Sequence, residues 1–370
     1  MGKFLVLSMV ALIGVVGISL FQKYNQGGKI TQLSPRTDNQ TTMQKERVST
    51  LANNLEIPWA LEFLPDGRIL VTERPGRVGI IDGQQVSSPV AQIGVNAVGE
   101  GGLHGIAIDP NFSSNNNIYL YYTYASDEDN TLNRVVRYRF QNNSLREEKI
   151  IVDEIPGAAN HDGGRIKFGP DGFLYITTGD AQEPSLAQNR NSLAGKILRV
   201  DRDGNPAPGN PFGTRIYSYG HRNPQGIAWD GQGQLWSTEH GRSGILSGLD
   251  ELNLIEPGKN YGWPTIEGDK TQQGMVAPVI NSGADDTWAP AGASYYNGSI
   301  YFAGLRGEAL YQYIISSKQL KVHFKNEFGR VREVVLGPDN LLYITTSNRD
   351  GRGTVGQNDD KILRIDPNQL

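Results

Sequence analysis

A turn of the Pro-Asp-Gly or Asp-Gly kind, followed at once by a short apolar or aromatic strand, recurs six times along this chain. It reads Leu64-Pro65-Asp66-Gly67 before Ile69-Leu70-Val71-Thr72, Asp109-Pro110-Asn111-Phe112 before Ile118-Tyr119-Leu120-Tyr121, and Gly169-Pro170-Asp171-Gly172 before Leu174-Tyr175-Ile176-Thr177. The later copies are Asp230-Gly231-Gln232-Gly233 before Leu235-Trp236-Ser237, Tyr296-Asn297-Gly298 before Ser299-Ile300-Tyr301-Phe302, and Gly337-Pro338-Asp339-Asn340 before Leu342-Tyr343-Ile344-Thr345. Proline presets φ, while Asp, Asn and Gly supply the turn hydrogen bonds and the positive φ, so each copy marks a chain reversal between strands. Spacings of about 40 to 67 residues suit a four-stranded sheet plus loops of varying length. A further strand type recurs as Lys196-Ile197-Leu198-Arg199-Val200 and Lys361-Ile362-Leu363-Arg364-Ile365. The pattern predicts an all-β protein, a single six-bladed β-propeller.

Composition agrees and excludes several functions. With 45 glycines and 19 prolines among 370 residues, many short strands and turns are favoured over long helices. The net charge of -4 offers no basic footprint for nucleic acid. The absence of cysteine removes disulfides, thiolate nucleophiles and Cys-ligated metals, so any redox chemistry has to come from a bound cofactor. At the N-terminus, Lys3 precedes an apolar run from Phe4 to Phe21, which fits either a signal peptide or a membrane anchor over residues 1–21. Both readings predict an exported protein, periplasmic or extracellular, with membrane attachment under the second. Residues 22–45 read as a flexible linker, and 46–370 as the propeller.

Candidate chemistry gathers in glycine-bounded loops. Gly220-His221-Arg222-Asn223-Pro224-Gln225-Gly226 places a fixed cation and an amide between two glycines, and Asn160-His161-Asp162-Gly163-Gly164-Arg165 presents a second histidine, with Asp180 nineteen residues beyond it. A histidine, a carboxylate to orient it and an arginine to stabilise developing negative charge are parts for proton abstraction. His161, Arg222 and Arg330 all precede strands of the type that lines a propeller channel, so they are expected to converge at one mouth. His104, His240 and His323 lack metal-ligand spacing, and His221 reads as structural. Asp201-Arg202-Asp203-Gly204-Asn205 has Phe212 at the twelfth position of a would-be calcium loop and reads as a turn.

From about Ile57 to Ile365 the chain resembles the glucose/sorbosone dehydrogenase family, which includes soluble quinoprotein glucose dehydrogenases and aldose sugar dehydrogenases. The resemblance rests on an ordered set: Gly99-Glu100-Gly101-Gly102-Leu103, His161 with Gly164-Arg165, Gly220 to Gly226, Asp250-Glu251 with Asn260-Tyr261-Gly262-Trp263-Pro264, and Arg330-Val331-Arg332-Glu333. It implies oxidation of the C1 hydroxyl of aldoses to lactones, with pyrroloquinoline quinone (PQQ) and calcium (Ca2+) as cofactors. His161 matches the family's general base and Asp180 the carboxylate holding its imidazole, while Arg222 and Asn223 match the pair beside the quinone oxygens. Arg330 and Arg332 match cations for the cofactor carboxylates, and their i, i+2 spacing on a strand predicts a shared face. Thr287 aligns with a cofactor-contacting threonine. Gly241 and Arg242 match positions giving main-chain carbonyls to calcium, and Glu251 with Tyr261 matches a second calcium site.

Two positions depart from the glucose dehydrogenase pattern. Arg306 stands where those enzymes place a lysine on the cofactor, and Glu100 where they have a glutamine beside sugar and cofactor. Together with a different segment after Asp180, these predict broad aldose specificity. The electron acceptor does not follow from the residues. Two rival readings keep the fold: a calcium-dependent lactonase or other hydrolase, and a catalytically silent sugar- or protein-binding propeller.

Overall fold

The computed structural model describes residues 47–370 apart from 84, 87, 88, 127–129, 245 and 246. The expectations for 1–21 and 22–45 therefore lie outside the described residues. Among those described, no helix is long and apolar enough to cross a membrane.

Strands of the described residues form six antiparallel sheets, and each of the six repeated turns joins the first strand of a sheet to its second. Blade 1 runs Pro58–Phe63, Ile69–Glu73, Arg77–Asp82 and Gln85–Val86, with Ala91–Gln92 also paired to its third strand. Blade 2 runs Leu103–Ile108, Asn117–Ala125, Thr131–Gln141 and Ser144–Pro156. Blade 3 runs Ile166–Phe168, Leu174–Thr178, Lys196–Val200 and Ile216–Tyr219; blade 4 runs Pro224–Trp229, Leu235–Glu239, Glu251–Ile255 and Ile280–Asn281. Blade 5 runs Pro290–Tyr296, Ser299–Gly304, Ala309–Ile314 and Gln319–His323. Blade 6 takes Val331–Leu336, Leu342–Thr346 and Ile362–Ile365 from the end of the chain and its fourth strand, Val48–Ala52, from the beginning. This pairing of the two ends closes the ring and leaves no blade edge open inside it.

The core is divided into six apolar wedges, one between each pair of neighbouring blades. Leu51, Ala52, Tyr343 and Ile362 of blade 6, for example, pack on Leu61, Ile69, Val71 and Ile81 of blade 1. A threonine at one position of the second strand stitches several wedges. Thr72 donates to the His104 carbonyl at 2.6 Å, Thr238 to that of Ala291 at 2.6 Å, and Thr345 to that of Pro58 at 3.2 Å. The first strands crowd one another around the axis. At Gly226 a Cβ would meet the Ala291 carbonyl of the next blade, so only glycine permits that approach.

Midway along the axis the channel is filled. The Trp59 indole lies between two guanidinium groups, Arg165 at 4.3 Å and Arg332 at 5.6 Å from its centroid. Arg165 also forms a buried ion pair with Glu333. Nearby, burial pushes the Glu62 carboxyl up to about 7 against the attraction of Lys167, with Glu333 raising it further and Arg165 opposing.

Two consequences are measurable. Compared with a chain starting at residue 47, one starting at residue 53 exposes the edge at Ile362–Ile365 and should lose roughly 10 °C by calorimetry or aggregate. For Glu62 the folded value lies above the ordinary 4.5, so the folded state holds the extra proton in that window. Stability should therefore fall as pH rises from about 4.5 to about 7, and Glu62→Gln should flatten that slope in urea titrations.

Candidate active site

The loops that lead into the first strands end at one mouth of the channel. Glu100 precedes blade 2, His161 blade 3, Arg222 and Asn223 blade 4, Thr287 blade 5 and Arg330 blade 6, and all six line one cavity of about 410 Å³. Loops between second and third strands complete its wall with Gly241, Arg242, Arg306 and Arg352. Residues up to 252 positions apart thus meet because the ring brings equivalent ends of different blades together.

His161 is held with φ of 67°, a left-handed conformation in which its amide turns to Glu100 Oε2 at 3.3 Å. Its Nδ1 lies 2.7 Å from Asp180 Oδ1, and Asp180 is fully buried. Asp180 also accepts from the Gln182 amide at 2.9 Å and from Trp263 Nε1 at 2.8 Å, so the carboxylate is fixed before it fixes the imidazole. An Nδ1–H donated to Asp180 leaves Nε2 as the proton acceptor, and among the described residues Nε2 has no hydrogen-bond partner.

Arg222 is positioned from behind. Glu239 accepts the Arg222 amide with one oxygen and His221 Nδ1 with the other at 2.9 Å, and His221 Nε2 meets Ser218 Oγ at 2.8 Å. These groups are buried, and His221 also stacks on Tyr261. The guanidinium reaches Ser243 Oγ at 2.6 Å and lies 5.3 Å from the Trp263 ring centroid. Burial depresses its pKa while Asp180, Glu100, Glu239 and Asp250 work against that, so it remains cationic. Asn223 Oδ1 accepts from the Gly163 amide at 3.0 Å, tying the two motif loops together.

Asp250 organises the opposite wall. Its Oδ1 accepts from the Gly241 amide at 2.8 Å, and its Oδ2 from Thr287 Oγ1 at 2.8 Å, the Trp288 amide at 2.7 Å and the Ala289 amide at 2.9 Å. The Thr287 hydroxyl is thereby committed as a donor. Arg242 pairs with Gly248 in an antiparallel bridge, its amide donating to the Gly248 carbonyl at 2.8 Å, and its side chain turns to Glu267 at 2.8 Å. Glu100 is raised by burial, but His240, Arg352 and the His161 amide outweigh this and bring it down to about 2. Arg352 bridges Glu100 at 2.5 Å and Asn160 at 2.8 Å.

The basic residues divide into three kinds. Arg306 is exposed and carries no ion pair or side-chain hydrogen bond among the described residues. Arg330 brings Nε and Nη2 to the single oxygen Asp350 Oδ2 at 2.9 and 2.8 Å and donates from Nη1 to the Leu305 carbonyl at 3.2 Å, which leaves two of its five N–H groups uncommitted. Arg332 does not line the cavity with it. Arg330 lies ahead of the strand Val331–Leu336, whose register shifts between Val331 and Glu333, so strict alternation does not reach it. The Arg332 side chain instead turns to Gln225 Oε1 at 2.6 Å and Trp59, and burial lowers it to about 9. Its Nε and the Nε2 of His240 are buried without partners.

Glu251 and Tyr261 lie outside this cavity. Glu251 faces Glu239 across adjacent strands, and burial together with that carboxylate pushes it up to about 8. Asp250 and Asn160 were quoted from the sequence only as members of their motifs, and no role at the site was assigned to them or to Arg352 and Gln182. Asp250 had a signal in its place beside Glu251, whereas Arg352 had none, being 252 positions from Glu100.

Known proteins share this arrangement of elements. The family model for glucose/sorbosone dehydrogenases matches residues 55–363. An aldose sugar dehydrogenase of Escherichia coli is 30% identical over 356 residues, covering 86% of this chain and 92% of that protein. The PQQ-bound structure of an aldose sugar dehydrogenase from Streptomyces coelicolor superposes with a TM-score of 0.80 at 40% identity, over 86% of this chain and 97% of its own. A Thermus thermophilus structure, described as a putative oxidoreductase (glucose dehydrogenase), gives 0.81 at 43% identity, over 86% and 99%.

Asp250→Ala should strand three backbone amides and destabilise the protein by about 3 kcal/mol or more in denaturant titration, whereas Asp250→Asn, retaining acceptor capacity, should cost less. With its matched domain, ring fold and motif order together, this chain belongs to the glucose/sorbosone dehydrogenase family.

Proposed function

We propose that this protein is a PQQ-dependent aldose sugar dehydrogenase that oxidises the C1 hydroxyl of aldoses to lactones. The observation that carries this reading is the His161–Asp180 pair, with the free Nε2 of His161 in the same cavity as Arg222, Arg306 and Arg330. A family relative of 40% identity bound to PQQ supports the cofactor assignment.

The residues fit the implied groups. PQQ carries three carboxylates, and this cavity offers the unpaired Arg306, two free N–H groups of Arg330 and the charge of Arg222. His240, which lines the cavity, has a buried Nε2 without a partner, and the buried Arg332 cation has an orphaned Nε, so a bound polyanion would compensate charge and donors that the protein leaves unmatched. The main-chain oxygens of Gly241 and Arg242, both residues of the cavity wall, would suit a hard cation such as calcium. At the second candidate site, a cation between Glu251 and the Tyr261 carbonyl would relieve the repulsion of Glu251 by Glu239. When bound, PQQ supplies a two-electron acceptor for the hydride of an oxidised alcohol carbon.

The chain's own residues then have distinct tasks. Asp180 fixes the imidazole tautomer and plane, and His161 Nε2 takes the proton of the sugar C1 hydroxyl. Arg222 and Asn223 place a permanent charge and an amide where negative charge develops, in a setting made rigid by Glu239. Thr287 and Glu100 border the same space and orient ligand through a committed hydroxyl and an ionised carboxylate.

Reconstitution with PQQ and calcium, followed by dye reduction with a panel of aldoses, tests the proposal. Sugar-dependent reduction that vanishes with chelator or without PQQ is the expected result; PQQ binding without any sugar turnover would reject the substrate class. His161→Ala should reduce kcat by about 10³-fold with PQQ affinity nearly unchanged, because a base acts in the transition state. Arg306→Ala, which leaves no buried carboxylate unpaired, should weaken PQQ binding roughly tenfold in equilibrium titration with a smaller effect on kcat.

A further inference from the structure

The opposite mouth of the channel holds a second cavity, of about 470 Å³, that shares no residue with the first. It is lined by the far ends of the first strands, including Glu62, Phe63, Lys167, Trp229, Ser294 and Tyr295. The Arg165–Glu333 pair lies at its inner end and Trp59 beyond it, so the two cavities are separated by filled protein.

Two of its groups are unaccounted for by packing. Glu62 and Lys167 are both half-buried and attract one another, yet among the described residues neither forms an ion pair within 4.0 Å or a hydrogen bond to another side chain, Glu62 being met only by the Phe63 amide. Opposite charges in a confined space draw together unless their supports prevent it. Here the supports are the first strands of blades 1 and 3, with the first strand of blade 2 between them. Arg165 and Glu333 already satisfy each other, so Glu62 and Lys167 are left as an acceptor and a donor facing shared space. Phe63, Trp229 and Tyr295 add aromatic surface to the same wall.

We propose that this far mouth is a second binding site, taking a neutral cyclic polyol of the sugar class. Each hydroxyl of such a ligand both donates and accepts, so it can bridge Glu62 and Lys167 without adding a net charge to a cluster that already balances its signs. The C–H face of its ring suits the aromatic wall, and the volume falls in the ~300–1,000 Å³ range of small-molecule sites. The site stands apart from the dehydrogenase reading, since it shares neither residues nor chemistry with the first cavity.

The test uses myo-inositol, a ring polyol with no anomeric hydroxyl, titrated into the whole protein without PQQ and followed by saturation-transfer NMR and calorimetry. The expected result is a dissociation constant on the order of 1–10 mM that rises about tenfold in Lys167→Met and in Glu62→Leu, is unmoved by Arg306→Ala, and accompanies unchanged dye-reduction rates in the two far-mouth variants. Protection of Lys167 from acetylation by myo-inositol, read by mass spectrometry on the unmutated protein, gives the same answer should either variant fail to fold. Absence of binding and of protection up to about 100 mM would overturn the site. Binding lost only in Arg306→Ala would assign it to the first cavity, and tighter binding of glycine than of myo-inositol would overturn the polyol class. Because no readout needs turnover, failure here is distinct from failure of the dehydrogenase assignment.

Discussion

Everything functional in this molecule depends on closing the ring. Val48–Ala52 pairs with Ile362–Ile365, so the first strand of each blade is pressed toward a common axis and every loop that enters such a strand opens at the same mouth. The apolar wedge of Leu51, Ala52, Leu61 and Ile362 and the bond from Thr345 to the Pro58 carbonyl seal the joint where the two ends of the chain meet. A ring held only by neighbour contacts transmits a defect at one joint to all six loops, because each blade angle is set by its two neighbours.

Within that frame, buried carboxylates set the geometry. Asp180, Glu239 and Asp250 each accept several hydrogen bonds, and in each case the groups they hold bear on a cavity residue: the imidazole of His161, the backbone of Arg222, and the Gly241 and Thr287 wall. Carboxylates satisfied in this way lose little mobility on ligand binding, because their partners are already ordered. The arginines on the cavity side are less completely satisfied. Arg306 is unpaired, Arg330 keeps two free N–H groups, and Arg332 has an orphaned Nε behind the wall. Rigid acids behind and incompletely paired cations in front make a cavity built for an anion, which a hydrolase with carboxylates converging on a metal would not need.

Local chemistry made the fold legible. The six turns are encoded by residues that act within four positions, and the strands that follow them are apolar in register with the core, so the blade count could be read directly. His161, Asp180, Arg222 and Asn223 were legible for the same reason, being set in glycine-bounded loops just ahead of first strands or, for Asp180, just after a second. What escaped was set by distance or by irregular backbone. Thr72 and Thr345 stand within quoted strands and Thr238 directly after one, but their bonds run to the next blade, and the Arg352 bridge to Glu100 spans the ring. Arg332 was placed beside Arg330 by strand alternation, which holds only in a regular strand and not where the register shifts at its start.

The filled midsection gives the two mouths separate electrostatic lives. Arg165 and Arg332 lie 4.3 and 5.6 Å from the Trp59 ring centroid, and the indole π-system attracts both cations. Arg165 is tied to Glu333 on the far side, whereas Arg332 looks toward Glu100 and Asp350 on the near side. The plug therefore turns Arg165 toward the far cavity and Arg332 toward the near side. A ligand charge introduced at the near mouth meets an excess of arginine, while the far mouth remains balanced between Glu62 and Lys167. The same six strands thus end in an arginine-rich cavity on one side and a charge-balanced one on the other, a difference that comes from which side chains stand at and before their two ends.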